Sequence, residues 1–267
     1  MKISKWVSGS VGTLATIAIW WVVAANMFRN QPKGSTETVG AIPTPPEVLV
    51  QFFEDGVRFF AKNATVTLAE AGLGFLWGNL AALALAAVAL TLPKLENLAT
   101  QIAVITYCIP IVAIGPIIRL VVGAPGPGEP AGAAVSLAAL SVFFTTMVGA
   151  LTGVKSADKA ALDVVTVFGG NSWHRLIKVQ LLSALPSILA ALRIAAPAAF
   201  LGAILGEYVG GPDVGFGPAM VNAQQSLEVA RVWALALVSG AIAGAAYALV
   251  GLVSRFVTPW SKGSVTA

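Results

Sequence analysis

Six long apolar runs divide this sequence, and they constrain its fold more than any other feature. Crossing a hydrocarbon core of roughly 30 Å takes about 20 helical residues, and each run is about that long or longer. Hydrophobic residues make up 57% of the chain and charged residues only 10%, which is unlike a soluble domain. The sequence therefore predicts an all-α polytopic membrane protein with about six transmembrane helices in one bundle. The runs lie at approximately 7–28, 64–90, 98–122, 131–152, 187–208 and 232–255.

The first run follows Lys2 and Lys5, as the core of a secretory signal would. Its length of about 20 residues exceeds the roughly 7–15 apolar residues of a cleaved signal, so we expect an uncleaved anchor. Residues 1–40 then form this anchor and an outer linker, 41–260 form the transmembrane domain, and 261–267 form a tail.

The longest polar interruption, 153–186, has a helical pattern of its own. Apolar residues recur in it at a spacing of three to four, which is typical of one face of a helix. Gly169 and Gly170 supply the backbone freedom that ends a helix, and Ser172 is the expected N-cap of a second short helix. The loop is therefore predicted to form a helix, a glycine break and a helix that leads into the fifth run. The apolar residues are Ala160, Ala161, Val164, Val165 and Phe168.

Lysine and arginine predict which side of the membrane this loop faces. If the chain starts inside, nine of these residues lie in inner segments and six in outer ones. Cytoplasmic segments carry the excess of Lys and Arg. We therefore expect both termini and the 153–186 loop to be cytoplasmic.

The third run contains Pro110 and Pro116. Proline within a helix removes a backbone donor and clashes with the preceding turn, so we expect a bent or broken span. Membranes accept irregular backbone only where protein or a water-filled cavity covers it. The two prolines are therefore candidates for a pathway wall, with a kink needed only for packing as the alternative. Cys108, in the same run, is expected to be a small packed residue.

Two acidic residues lie within or at the end of the runs. Glu70 is about two turns inside the outer boundary, where an unpaired carboxylate is costly. We expect for it either an ion pair with Arg119 or Arg231, which lie at similar depth, or a place on a solute path. Glu207 lies at the outer end of the fifth run, where it either faces water or forms a gate or a contact with another protein.

Motifs for catalysis and for cofactors are absent from the sequence. It lacks the Gly-x-x-x-x-Gly-Lys-Ser/Thr segment that cradles nucleotide phosphates, and no His, Cys, Asp and Glu cluster has metal-ligand spacing. Its one histidine, His174, has no nucleophile elbow near it. The net charge of +4 is distributed over the loops and does not indicate nucleic-acid binding. We expect no enzyme, no cofactor and no metal site.

The 153–186 loop resembles the cytoplasmic EAA loop of binding-protein-dependent ABC importer permeases. The family pattern is Glu-Ala-Ala, three residues, Gly, nine residues and Ile-x-Leu-Pro. In this sequence Asp163 stands at the place of the glutamate and is also acidic, two valines replace the alanines, and Leu182 replaces the proline. Pro186 matches a second proline that is common in the sulfonate, taurine and nitrate branch. The residues at the pattern's places are Asp163, Val164, Val165, Gly169, Val179, Leu181 and Leu182.

Further segments resemble the same family in the same order, so that the resemblance runs from about residue 41 to the end of the chain. They include a proline-rich helix start, the proline pair of the third run, and three short motifs after the loop. These segments are Thr44-Pro45, Pro110 with Pro116, Leu192-Arg193-Ile194-Ala195, Gly206-Glu207 and Gly215-Phe216-Gly217.

The resemblance implies the permease of an ABC importer in the bacterial cytoplasmic membrane, which moves a small polar solute by alternating access. ATP hydrolysis is then expected in separate cytoplasmic ATPase subunits. The other implied partners are an extracytoplasmic substrate-binding protein, a second permease copy, identical or different, and the lipid bilayer. The expected coupling residues are Ala160, Ala161, Asp163, Val164, Val165, Phe168, Gly169, Gly170 and Pro186, and the expected pathway residues are Glu70, Pro110, Pro116 and Glu207.

Two other functions are compatible with six spans. The first is an ATP-independent secondary transporter or channel, although such carriers usually place several ionisable groups near the midplane, and Glu70 and Arg193 lie nearer the faces. The second is a membrane scaffold, which would not need a broken third span.

Overall fold

A computed structural model describes residues 5–27, 32–33, 37–38, 42–126, 128–210 and 213–263. The expected outer linker and tail lie partly outside these residues. Nearly all of the described chain is helical, and two strands of two residues each, β1 (Pro32–Lys33) and β2 (Glu37–Thr38), pair antiparallel. The helices are α1 (Lys5–Met27), α2 (Pro45–Thr91), α3 (Glu96–Cys108), α4 (Ile111–Val122), α5 (Gly132–Lys155), α6 (Lys159–Val167), α7 (Ser172–Tyr208), α8 (Phe216–Gln225) and α9 (Val229–Val257).

Five of these helices are long and apolar enough to cross a membrane, and the bent pair of α3 and α4 makes up to six. The predicted all-α polytopic fold is therefore confirmed. Two short 3₁₀ segments, Pro93–Leu95 and Pro259–Gly263, follow α2 and α9.

Helix α2 is longer than the predicted second span. It begins at Pro45, where the backbone N–H of Thr44 donates to Glu47 Oε2 at 2.7 Å, as a capping box requires. The second apolar run of the sequence begins only at about residue 64. The structure instead shows one element, interrupted at Gly56 by a non-helical φ of 72°.

The predicted break in the third run is confirmed, and it is sharp. Helices α3 and α4 meet at an angle of 97°. Ile109 and Pro110 have extended backbone at the break, whereas Pro116 lies within α4 without ending it. The prediction of a packed Cys108 is wrong, because this thiol is exposed beside the break.

Helix α7 runs without interruption from the polar loop to the other end of the bundle. It consists of an α-helical turn (Ser172–Arg175), a π-helical segment (Leu176–Gln180) and a long α-helix (Leu181–Tyr208). Its N-cap is Asn171, whose Oδ1 accepts from the backbone N–H of His174 at 3.1 Å, and not the predicted Ser172. The predicted continuity of the second loop helix with the fifth span is confirmed.

Helices α2, α5 and α7 form the centre of the bundle through small residues. A Cβ added at Gly206 of α7 would lie 2.4 Å from the Ala134 Cα of α5. Small residues let helices approach closely where lipid offers no hydrophobic driving force. Helix α1 is peripheral, with the Trp20 ring stacked on Trp233 of α9 at 5.3 Å.

The contacts of α5 with α7 define two ends of the bundle. At the loop end, Gly153 lies against Ala184, and at the opposite end Gly206 lies against Ala134. Ala184 and Gly206 are 22 positions apart, which corresponds to about 33 Å at 1.5 Å per residue and is close to a hydrocarbon thickness of roughly 30 Å. The 12 residues 172–183, here called the stalk, add about 18 Å to α7 on the loop side of Ala184, and part of the stalk still contacts α5.

Candidate functional site

Helix α6 lies at the loop end, and none of its residues is buried. It begins at Asp158, whose Oδ1 accepts from the Ala160 N–H at 3.1 Å. It ends at the glycine pair, where Gly169 has a φ of +76° and the Gly170 N–H donates to the Val165 carbonyl at 2.8 Å. A positive φ is readily adopted by glycine and disfavoured for residues with a Cβ, so the sequence ends the helix where it was predicted to end.

The apolar residues of α6 divide into two sides. Ala161, Leu162 and Val165 are half-buried, and α6 contacts the first turn of α7. A second stripe is turned outward, and it is highly exposed: 55% at Val164, 84% at Val167 and 87% at Phe168, together with Ala160. Apolar surface exposed on this scale marks an interaction site.

The structure brings together eight of the nine expected coupling residues, from Ala160 to Gly170, in α6 and its C-terminal turn. Pro186 is separate, because it lies within α7 beyond the stalk. The sequence analysis missed Val167, although its spacing of three residues from Val164 was a sufficient signal.

The segments on either side of α6 carry mainly basic side chains. Lys155, Lys159 and Lys178 are exposed, and His174 and Arg175 lie on the first turn of α7. Lys155 pairs with Glu96 of α3, and Asp158 and Asp163 are the acidic residues of the same loop. These flanking residues, here called the basic border, adjoin the apolar stripe in the chain.

The opposite end of the bundle contains a buried network around Glu207. Its Oε1 accepts from Thr67 Oγ1 and its Oε2 accepts from the Gly217 N–H, both at 2.6 Å. The Thr67 hydroxyl accepts in turn from the Phe216 N–H at 3.0 Å, and Asn63 Oδ1 accepts from the Gly215 N–H at 3.0 Å. The first backbone N–H groups of α8 are thus bound by side chains of α2 and α7.

Glu207 is only 2% exposed, so the expectation that it faces water is wrong. Its carboxylate caps the N-terminus of α8, where unpaired N–H groups and the helix dipole favour negative charge. Glu207 therefore connects α7 to α8 and, through Thr67, to α2.

Glu70 is fully buried next to Glu207. Its Oε1 accepts from the backbone N–H of Ala131, the N-cap of α5, at 2.7 Å. The predicted ion pair of Glu70 is wrong, because within the described ranges no cation lies within 4 Å of it. Arg231 instead pairs with Asp55, with 2.7 Å from Nη2 to Oδ1, and with Glu228.

A cavity of about 790 Å³ opens at this end. Its walls are the first half of the long α2, the end of α4, the loop that follows α4, and the segment before α8. Of the four expected pathway residues, Glu70 lines this cavity, and Pro110, Pro116 and Glu207 are not among its lining residues. The charged residues that line it are Lys62, Glu70, Arg119, Glu129 and Asp213.

No cluster of three or more His, Cys, Asp and Glu residues able to hold a metal ion occurs in the part of the chain that the structure describes.

Comparison with known proteins gives one matching family. Residues 67–262 match the family described as binding-protein-dependent transport system inner membrane component. This range covers α5 to α9 completely, together with α3, α4 and most of α2.

Relatives with assigned names are similar over most of the chain. A probable ABC transporter permease protein of Haemophilus influenzae is 30% identical over 220 residues, which cover 82% of this chain and 86% of that protein. The putative aliphatic sulfonates transport permease protein SsuC of Bacillus subtilis is 27% identical, with 96% and 88% covered. The formylaminopyrimidine transport permease protein ThiX of Halalkalibacterium halodurans is 22% identical, with 92% and 93% covered.

A crystal structure of an amino acid ABC transporter with histidines has a similar fold. Its TM-score is 0.59 at 16% sequence identity, and the match covers 74% of this chain and 94% of that chain.

Proposed function

This chain belongs to the family of binding-protein-dependent transport system inner membrane components, which are ABC transporter permeases, and on that premise we propose that it is the permease of an importer for a small polar solute. ATP hydrolysis takes place in separate ATPase subunits that dock on α6. A binding protein delivers the solute at the opposite end, and a second permease copy, most simply an identical one, completes the pathway. Membership of the ABC permeases favours this function over an ATP-independent carrier or channel and over a scaffold.

The observation that carries the proposal is the outward apolar stripe of α6. Its three large side chains, Val164, Val167 and Phe168, contact water in the isolated chain. Burying each is worth about 1.5–3 kcal/mol, so together they supply roughly 5–9 kcal/mol before the costs of association are subtracted. A partner that covers them with an apolar groove and meets the basic border with acidic side chains is stabilised on this helix.

The direction of the chain in the membrane is part of the proposal. Six basic residues of the described chain lie at or beyond the loop end, whereas the cations at the opposite end are fewer, and the excess of Lys and Arg is found on the cytoplasmic side. This distribution supports an orientation with the loop end in the cytoplasm of a bacterial cell and both termini on the same side. The six are Lys94, Lys155, Lys159, Arg175, Lys178 and Arg255.

Helix α7 supplies the connection between the ATPase and the solute path. Its 37 residues extend about 55 Å, from the turn after α6 to Glu207. A force on α6 therefore acts at one end of a helix whose other end holds the N-terminus of α8 through Glu207 and Gly217. The π-helical segment at Leu176–Gln180 and Pro197 are positions at which such a helix bends most readily.

Replacing Phe168 by serine is expected to weaken the capture of the ATPase subunits. The change removes about 2 kcal/mol of apolar burial, which corresponds to more than a tenfold loss of affinity. Co-purification of the ATPase with the permease in detergent measures this loss of affinity. The control is Leu92→Ser, which also lies at the loop end and is 52% exposed, but outside α6. Equal recovery of ATPase with both variants would contradict docking on α6.

A further inference from the structure

Glu70 and Arg119 line the same cavity, yet they do not form an ion pair. Among the residues that the structure describes, no carboxylate lies within 4 Å of the Arg119 guanidinium and no basic nitrogen lies within 4 Å of Glu70. Opposite charges at such a depth normally pair directly, because an unpaired charge out of water is costly. The cavity of about 790 Å³ therefore lies between two groups of opposite charge that do not contact each other.

The carboxyl group of Glu70 is incompletely satisfied. One oxygen accepts from the Ala131 N–H, and in the described part of the chain the neighbouring Glu207 carboxyl is the one further partner of this group. Two adjacent buried carboxyl groups share a proton, so the pair keeps one negative charge that no cation among the described residues neutralises. Two helix N-termini, those of α5 and α8, offset part of the negative charge of this pair. An additional cationic donor would stabilise it further.

Arg119 is the cation at the wall of the cavity. It lies in the last turn of α4, where the negative end of the helix dipole favours a cation. It is half-buried, and its Nε lies close to Gly210, at 2.8 Å from the position of an added Cβ. A guanidinium has five N–H donors in a planar fork, which suits a compact anion such as a carboxylate or a sulfonate.

We propose that the cavity is a binding site for a small zwitterionic solute. The anionic group of the solute binds Arg119, and its ammonium group lies at the floor of the cavity, attracted by the negative charge of the buried pair of Glu70 and Glu207. The charged side chains at the mouth, Lys62, Glu129 and Asp213, are exposed and include both signs, so they do not select a purely anionic or purely cationic solute. This proposal rests on the permease function proposed above, because it places the site on the solute path at the end opposite α6.

Three compounds with the same three-carbon chain test the class of solute: β-alanine carries both charges, propionate only the anion, and propylamine only the ammonium group. The probe is equilibrium binding of each radiolabelled compound, up to about 10 mM, to the full chain in lipid nanodiscs. We expect saturable binding of β-alanine and at least tenfold weaker binding of the other two. Binding of propionate as tight as that of β-alanine would overturn the zwitterionic class, and no saturable binding of any compound would overturn the site.

Two substitutions test the location. Arg119→Gln is expected to weaken β-alanine binding at least tenfold, and Arg119→Lys, which keeps the charge, is expected to restore part of it. Glu70→Gln is expected to abolish the preference for β-alanine over propionate. The control is Arg255→Gln, which removes an exposed cation at the loop end. Unchanged β-alanine binding in both cavity variants would overturn the assignment. Since no ATPase is present, failure of docking on α6 would leave these results unaffected.

Discussion

The Gly169→Asp variant is expected to reach the membrane at the wild-type level and to lose solute uptake at least tenfold. Gly169 has a φ of +76°, and no atom lies within 4 Å of a Cβ built on it. Aspartate adopts this backbone at a cost of about 1–2 kcal/mol, and the open space leaves the packing of the chain intact. Its carboxylate, however, enters the docking surface beside Phe168, where an unpaired charge in an apolar contact costs several kcal/mol.

Uptake of a labelled solute and ATPase activity, measured on the reconstituted transporter, separate uncoupling from misfolding. We expect the variant's ATPase activity to lose its dependence on solute. The matched control is Gly169→Asn, because asparagine has nearly the same size and tolerates the same backbone conformation but carries no charge. Normal uptake by Gly169→Asp at a normal level of protein would count against the docking role of α6.

Replacing Glu207 by leucine is expected to have the second large effect, through stability. The change leaves the Gly217 N–H without its acceptor in a buried network, while the Thr67 hydroxyl keeps only the Asn63 carbonyl at 3.3 Å. A buried donor left unpaired costs about 1–3 kcal/mol, and the favourable charge at the α8 N-terminus, worth up to about 2 kcal/mol, is lost as well. Thermal unfolding in detergent, followed by size-exclusion chromatography, measures this loss.

Two further variants make this result specific. Glu207→Gln keeps one acceptor oxygen in the same place, and we expect an intermediate loss of stability. Glu54→Leu removes an exposed acid on the first part of α2, and we expect a change within about 0.5 kcal/mol. If Glu207→Leu unfolded at the same temperature as Glu54→Leu, Glu207 would not connect α7 to α8.

The sequence was sufficient for features that depend on local pattern. Runs of apolar residues predicted the spans, Pro110 predicted the break between α3 and α4, and the spacing of Ala160 to Phe168 with the glycine pair predicted α6. Each of these signals is contained within about 20 neighbouring residues. The start of α7 was harder to place, since the stalk is helical but precedes the apolar run that predicts the fifth span.

The hydrogen-bond network around Glu207 could not be predicted from one sequence. Thr67 and Glu207 are 140 residues apart, and a single chain contains no pattern that pairs them. The ion pair expected for Glu70 was wrong for a physical reason, because the first N–H groups of α5 and α8 act as donors to buried carboxylates without any cation. Arg231 pairs instead with Asp55 on α2, a contact between segments 176 residues apart.

The most direct test of the account is the accessibility of position 168 to a membrane-impermeant maleimide. The variant carries Phe168→Cys together with Cys108→Ser, since Cys108 is the one native cysteine and is exposed. We predict no labelling in intact cells, strong labelling in inside-out vesicles stripped of the ATPase, and protection when the ATPase is restored. Labelling from outside intact cells, or labelling of vesicles that the ATPase does not reduce, would contradict a cytoplasmic docking helix.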